Sequence, residues 1–237
     1  MSIVKIENLS KSYGDKTILK DLNLEISKPG IYALIGPNGS GKTTLFNILA
    51  NLTKADSGEV YLLDEKNDES AIFSKVSFLV DTNILYGYLS GFDHLLFIES
   101  AQKLDKERKN IIIDKLHLSS FIHKKVSRYS LGMKQKLLIA MTLMNNPKLI
   151  ILDEPFNGLD PTSLIQIRSL LEDIAKEGTT IIISSHGLTD ISLLTDNILF
   201  LKDGKLIEEE IKMENKYQLL KIEEKYLEVF PEEKNKI

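Results

Sequence analysis

The 237-residue sequence has no cysteine and no tryptophan. It has only six prolines and thirteen glycines, and no large charge excess of either sign. The missing cysteine excludes a disulfide scaffold. It fits a reducing compartment. Proline and glycine are too few for collagen-like or low-complexity material. Thirty basic residues against 34 acidic ones leave a net charge of −4. That balance disfavours a nucleic-acid binder working through a strongly basic field. No apolar run approaches the ~18–20 residues that span a bilayer. The best, residues 137–144 and 149–152, are far too short. The N-terminus lacks the long apolar stretch of a secretory signal. The chain is therefore expected in the cytoplasm, alone or docked to something. What is present is apolar: 43% of residues are hydrophobic. That is ample for a core and argues against disorder.

Residues 3–9 and 17–26 alternate apolar and polar positions, as in Leu22, Leu24 and Ile26 against Asn23 and Glu25. Half-buried antiparallel strands are predicted there. Residues 31–35 form a continuous apolar run, suited to a parallel strand buried on both faces. A glycine-rich turn and a helix over 42–50 follow. Short strands are predicted at 59–63, 76–80, 149–153, 179–184 and 197–201. Helical spacing marks 162–175 through Leu164, Ile167, Leu170, Leu171 and Ile174. Residues 82–145 carry almost no strand signal and three helical stretches, 91–103, 106–118 and 131–144. The fold class is α/β: a mainly parallel sheet with an N-terminal antiparallel β subdomain and an inserted all-helical lobe. One unit is expected, with a core lobe of residues 1–81 and 146–210, a helical lobe of 82–145 and a charged helical tail of 211–237. In the tail Leu219, Leu220, Ile222, Tyr226, Leu227, Val229 and Phe230 suggest an apolar stripe that packs back on the core.

The segment Gly36-Pro37-Asn38-Gly39-Ser40-Gly41-Lys42-Thr43-Thr44 fits the phosphate-binding pattern G-x-x-x-x-G-K-[ST], with a strand before it and a helix after it. Glycines let backbone N–H groups approach a phosphate, and the helix N-terminus adds its positive end. Lys42 supplies a mobile charge for the β- and γ-phosphates, and Thr43 a hydroxyl for Mg²⁺. No Asn-Lys-x-Asp element is present, so guanine specificity is disfavoured. The strand over 149–153 ends in Asp153-Glu154-Pro155. Ligands of doubly wound sheets sit at the carboxyl ends of strands. Asp153 is thus a candidate Mg²⁺ ligand, acting through water, and Glu154 a candidate for orienting or deprotonating the attacking water.

With these motifs in this order, residues 3–210 resemble the nucleotide-binding subunits of ABC transporters. The resemblance implies that Tyr13, in Ser12-Tyr13-Gly14, stacks on adenine. It implies that Ser130 and Gly132 belong to a signature motif that meets ATP on a partner subunit. Tyr129, Leu131 and Met133 depart from the usual Leu-Ser-Gly-Gly-Gln. Asp160, in Asn157-Gly158-Leu159-Asp160-Pro161, falls in the D-loop, and its pattern also suits a helix start. His186 matches the switch histidine that contacts the γ-phosphate. Asp81 stands where the family usually has a metal-binding glutamine. Residues 83–88 fall where the family meets its membrane subunit. The departures resemble exporter subunits of the peptide-antibiotic resistance type.

The implied cofactors are ATP and Mg²⁺. The implied partners are a second copy of the chain, or a homologous ATPase subunit, and an integral membrane permease. The implied place is the inner face of the cell membrane. No nucleic-acid partner is expected. The alternative is a soluble ABC ATPase serving as an assembly module without a membrane partner.

Overall fold

The computed structural model describes residues 2–68, 70–79, 82–210 and 218–236. Asp81 lies outside them, as do Val80 and residues 211–217 of the expected tail.

Two antiparallel strands open the chain, β1 (Val4–Tyr13) and β2 (Lys16–Ile26), both longer than the alternation alone suggests. With β4 (Ser57–Leu62) and the two-residue β5 (Glu65–Lys66) they form a four-stranded antiparallel sheet in the order β2-β1-β4-β5. The six-stranded sheet runs β10-β9-β3-β8-β7-β6. Its members are β3 (Ile31–Ile35), β6 (Val76–Leu79), β7 (Leu149–Leu152), β8 (Thr180–Ser185), β9 (Asn197–Lys202) and β10 (Lys205–Glu210). All neighbours are parallel except β9 and β10, which are antiparallel.

Side chains alternate across this sheet, and both sides are apolar. Ala33, Ile35, Ile150, Leu152, Ile181, Ile183, Ile198 and Phe200 point into one core cluster. Leu34, Leu149, Ile151, Ile182, Leu199 and Leu201 point into the other. That is why these strands read as unbroken apolar runs rather than alternating ones. The second cluster is closed by helix α1 (Lys42–Leu49) and the inner face of the antiparallel sheet. The first is closed by α4 (Leu131–Leu143), α5 (Pro161–Lys176), the short α6 (Leu188–Ser192) and α7 (Gln218–Val229).

Between β6 and β7 the chain is helical, with α2 (Gly91–Gln102) and α3 (Lys106–Lys115) preceding α4. Ser90 opens α2 with a reciprocal capping box to Asp93, and Asp105 caps α3 through the Glu107 N–H. Such caps satisfy amide groups that a helix start leaves open.

The described part of the tail, residues 218–236, packs against the core. Ile222, Val229 and Phe230 of its last stretch are buried, and the Phe230 ring meets Phe200 edge-on at 6.2 Å. The expected stripe is narrower than seven residues, because Leu220 is exposed. Lys225 instead ties α7 to β10 through Glu209 at 2.9 Å.

Candidate functional site

The parallel order brings the carboxyl ends of β3, β8 and β7 side by side. The 36–44 loop leaves β3, His186 follows β8, and Asp153 and Glu154 follow β7. A cleft of about 380 Å³ opens there, lined by Lys16, Ile18, Lys42, Thr43, Asp153 and Glu154 together with loop glycines.

The loop's geometry requires glycine at two positions. A Cβ on Gly36 would lie 2.8 Å from the Leu201 carbonyl oxygen. Gly41 has φ +108°, and a Cβ there would lie 2.8 Å from Ile18 Cγ2. Gly41 also heads α1, which has no side-chain cap. By contrast α2, α3, α4 and α5 are each capped by a Ser or Asp side chain. The first amides of α1 thus keep their capacity for an anion. The Ser40 hydroxyl is buried beside them with no partner among the described residues. Lys42 folds over the loop, donating to the carbonyls of Gly36 (2.6 Å) and Pro37 (3.3 Å). Burial pushes its ammonium pKa down, and Glu154 and Asp153 partly offset that. A half-desolvated cation facing two carboxylates across an open cleft is arranged to take up negative charge.

A chain of hydrogen bonds links the loop to the acids. Thr43 Oγ1 donates to Asp153 Oδ2 at 2.8 Å. The other Asp153 oxygen accepts a short hydrogen bond from Ser184 Oγ. Ser184 Oγ in turn accepts from the Glu154 N–H at 2.9 Å. Glu154 Oε2 lies 2.9 Å from His186 Nδ1. An ionised carboxylate only accepts, so Nδ1 carries the proton in this pair. The two acids lie just past the end of β7, and Glu154 is left-handed, with φ +49°. That turn, rather than strand alternation, separates the directions of the two side chains. Thr43 and Asp153 offer hydroxyl and carboxylate oxygens, the donor type that Mg²⁺ takes.

The structure does not gather every sequence candidate here. Tyr13 does not line the cleft, though its strand partner Lys16 does. Tyr13 is 52% exposed, with Lys11 Nζ 5.4 Å from its ring centroid. Asn38, Gly39 and Thr44 line the cleft. Ser130 and Gly132 stand apart at the start of α4, where Ser130 Oγ accepts from the Met133 N–H. They adjoin the 157–160 turn: a Cβ on Gly132 would lie 3.1 Å from the Gly158 carbonyl. Asp160 caps α5, accepting from both the N–H and the hydroxyl of Ser163. These bonds hold its carboxyl below the usual range.

Sequence reading passed over two residues. Ser184 sits at the heart of the hydrogen-bond chain, and its only trace was a polar residue ending an apolar strand. His94 is buried, accepts from the Tyr86 N–H at 2.9 Å, and sets Nδ1 against the Ser90 carbonyl. It thereby pins the loop whose Tyr86 and Tyr88 side chains are exposed.

Such a loop, between a buried parallel strand and an uncapped helix and facing a carboxylate strand, defines a P-loop nucleotide-binding protein. A family model described as "ABC transporter" matches residues 19–157, so the chain belongs to the ABC transporter family. It is an ATP-binding, ATP-hydrolysing domain of that family. The chain is 40% identical over 205 residues to a lantibiotic transport ATP-binding protein of Streptococcus pyogenes, covering 86% of this chain and 89% of that protein. It is 36% identical over 241 residues to a bacitracin transport ATP-binding protein of Bacillus licheniformis, covering 99% and 77%. Among solved structures it is similar to a dimeric ATP-binding cassette in a post-hydrolysis state bound to ADP and Pi. There the TM-score is 0.76 at 29% identity, with 88% of this chain and 99% of that one covered. The family match ends before Asp160 and His186.

Proposed function

We propose that this chain is the ATPase subunit of an exporter of peptide antibiotics, working as a dimer beneath a separate membrane permease. The observation that carries the reading is the continuous chain Thr43–Asp153–Ser184–Glu154–His186 at the mouth of the phosphate loop. The lantibiotic and bacitracin transport names of its relatives support the substrate class. No described helix is long and apolar enough to cross a membrane.

The reaction is ATP plus water giving ADP and phosphate. The 36–44 loop and Lys42 bind the phosphates, with Gly36, Asn38, Gly39, Ser40, Gly41 and Thr44 shaping the loop. Thr43 and Asp153 would hold Mg²⁺, which supplies positive charge to the β- and γ-phosphate oxygens when bound. Asp81 is proposed as a third contributor. Glu154 orients the attacking water and takes its proton. His186 holds the Glu154 carboxylate in place and faces the group being transferred. Most of the rate comes from positioning and electrostatic stabilisation.

Tyr13 supplies a face for adenine. Ser130 and Gly132 act on the ATP of the partner subunit, and Asp160 shapes the turn beside them. This makes two composite sites related by a two-fold axis. ATP would then favour the closed dimer and hydrolysis release it, a population shift that performs mechanical work. The exposed Tyr86, held by His94, and its ring neighbour Tyr88 offer an aromatic face to the permease. The expected site of action is the inner face of the cell membrane.

Co-expression with an integral membrane subunit tests the transport reading. The chain should sediment with membranes and copurify only when that subunit is present. A chain that hydrolyses ATP yet never binds a membrane subunit would favour the assembly-module alternative. Mixing a Ser130→Ala chain with a Lys42→Ala chain tests the shared site. Mixed dimers that behave as the average of the two parents would defeat it.

A further inference from the structure

Ser184 is completely buried near the end of β8, the strand between the phosphate-loop strand β3 and the acid-bearing strand β7. Its Cα pairs with Leu34 on β3, and its neighbour Ile183 pairs with Leu152 on β7. Its side chain therefore emerges where Asp153 and Glu154 leave the sheet. The hydroxyl has one proton and two lone pairs. It gives the proton to Asp153 Oδ1 and accepts the Glu154 N–H at 2.9 Å. One atom thus fixes both acids.

The two contacts do different things. Asp153 Oδ2 is held by Thr43 at 2.8 Å, so hydroxyls on opposite sides lock the carboxylate plane. Glu154 sits at φ +49°, a conformation that non-glycine residues rarely take unless their surroundings hold them there. The Glu154 N–H is part of that turn, and Ser184 is what it bonds to. The adjacent Ser185 does not share this work. Its hydroxyl accepts the Gly187 N–H at 3.0 Å, closing the turn that carries His186. A buried hydroxyl in an apolar strand is unfavourable unless satisfied. Here both its bonds go to the acids.

We propose that Ser184 is a positioning residue for ATP hydrolysis: it sets the Asp153 oxygens that Thr43 and a metal share, and it holds the turn that aims the Glu154 carboxylate. The proposal deepens the reading above and rests on its roles for Asp153 and Glu154. Groups that orient metal ligands and catalytic acids from behind are typically worth roughly 10–100-fold in metal affinity or activity.

The test compares Ser184→Ala and Ser184→Thr with the wild-type full chain. Ser184→Ala is expected to lower kcat roughly 10–100-fold and to weaken Mn²⁺ binding to the ADP complex, read by electron paramagnetic resonance, by a similar factor. ADP affinity in EDTA should stay within about twofold, because the loop amides and Lys42 are untouched. Ser184→Thr, which keeps the hydroxyl, should recover most of both losses. If the extra methyl prevents folding, the near-isosteric Ser184→Cys should fall between alanine and wild type. Wild-type kcat and Mn²⁺ affinity in Ser184→Ala would overturn the proposal. Equal loss of metal-free ADP binding, unrescued by threonine or cysteine, would also overturn it and leave a packing role only. Glu154→Gln and Asp153→Asn run alongside. If both turn over ATP and bind Mn²⁺ like wild type, the underlying reading of the acids fails, whatever Ser184 does.

Discussion

Leu131 and Gly158 share one volume: a Cβ on Gly158 would lie 2.2 Å from Leu131 Cδ2. Leu131 stands where the usual signature motif has glycine, and Gly158 has φ +75° in the turn before α5. The large residue in one segment fits because the other has no side chain. Gly158→Ala should push the two segments apart and lower ATP hydrolysis, on the order of tenfold to a hundredfold for a displacement near 1 Å. Adding Leu131→Gly should restore part of the rate, leaving the cost of a left-handed alanine. Steady-state rates of both single variants and the double variant measure the coupling. Additive losses would show that the contact carries no functional weight.

Glu154→Gln keeps the size of the side chain and removes the proposed base. ATP binding should persist while hydrolysis falls by about 10²-fold or more. Dimers should accumulate with ATP and not with ADP, as read by size-exclusion chromatography. Full turnover in this variant would remove Glu154 from its role.

Lys42→Met should weaken ATP binding by roughly a hundredfold, the scale of one or two charge-assisted hydrogen bonds. A second consequence is pH-dependent. Burial lowers the folded-state pKa of Lys42 below its ordinary 10.5. The unfolded chain then holds the proton more tightly, so stability from this group rises as pH climbs from the folded value towards 10.5. Denaturant titrations across that alkaline range should show a steeper rise for wild type than for Lys42→Met.

Phe230→Ala tests the tail. Phe230 is almost fully buried and meets the rings of Phe200 and Tyr226. Removing it should cost about 3–5 kcal/mol of stability. ADP affinity of the folded fraction should be unchanged, because α7 lies away from the cleft lining. Thermal melting together with a binding titration separates the two effects.

The buried parallel strands were legible because both faces are apolar, so 31–35 and 149–152 stand out as unbroken runs. The loop over 36–44 was legible because phosphate binding demands glycines and lysine at fixed spacing. β10 was missed: Glu208 and Glu209 give it the composition of a solvated loop, and only pairing with β9 makes it a strand. β5 is too short to carry a period. The left-handed turn at Glu154 left no trace, because glutamate gives no sign of positive φ. The meeting of Leu131 with Gly158, and of Ser184 with both acids, joins residues about 30 positions apart. Such contacts arise from tertiary packing and have no local pattern.

β10 is the last strand of the six-stranded sheet, and β2 approaches it at the β9–β10 turn, where the Lys20 N–H donates to the Gly204 carbonyl. Glu208 is exposed there, and Glu209 is paired with Lys225. Charge along an edge strand resists the addition of a further strand from another molecule. The negative charge of Glu208 therefore disfavours sheet extension between copies at this end.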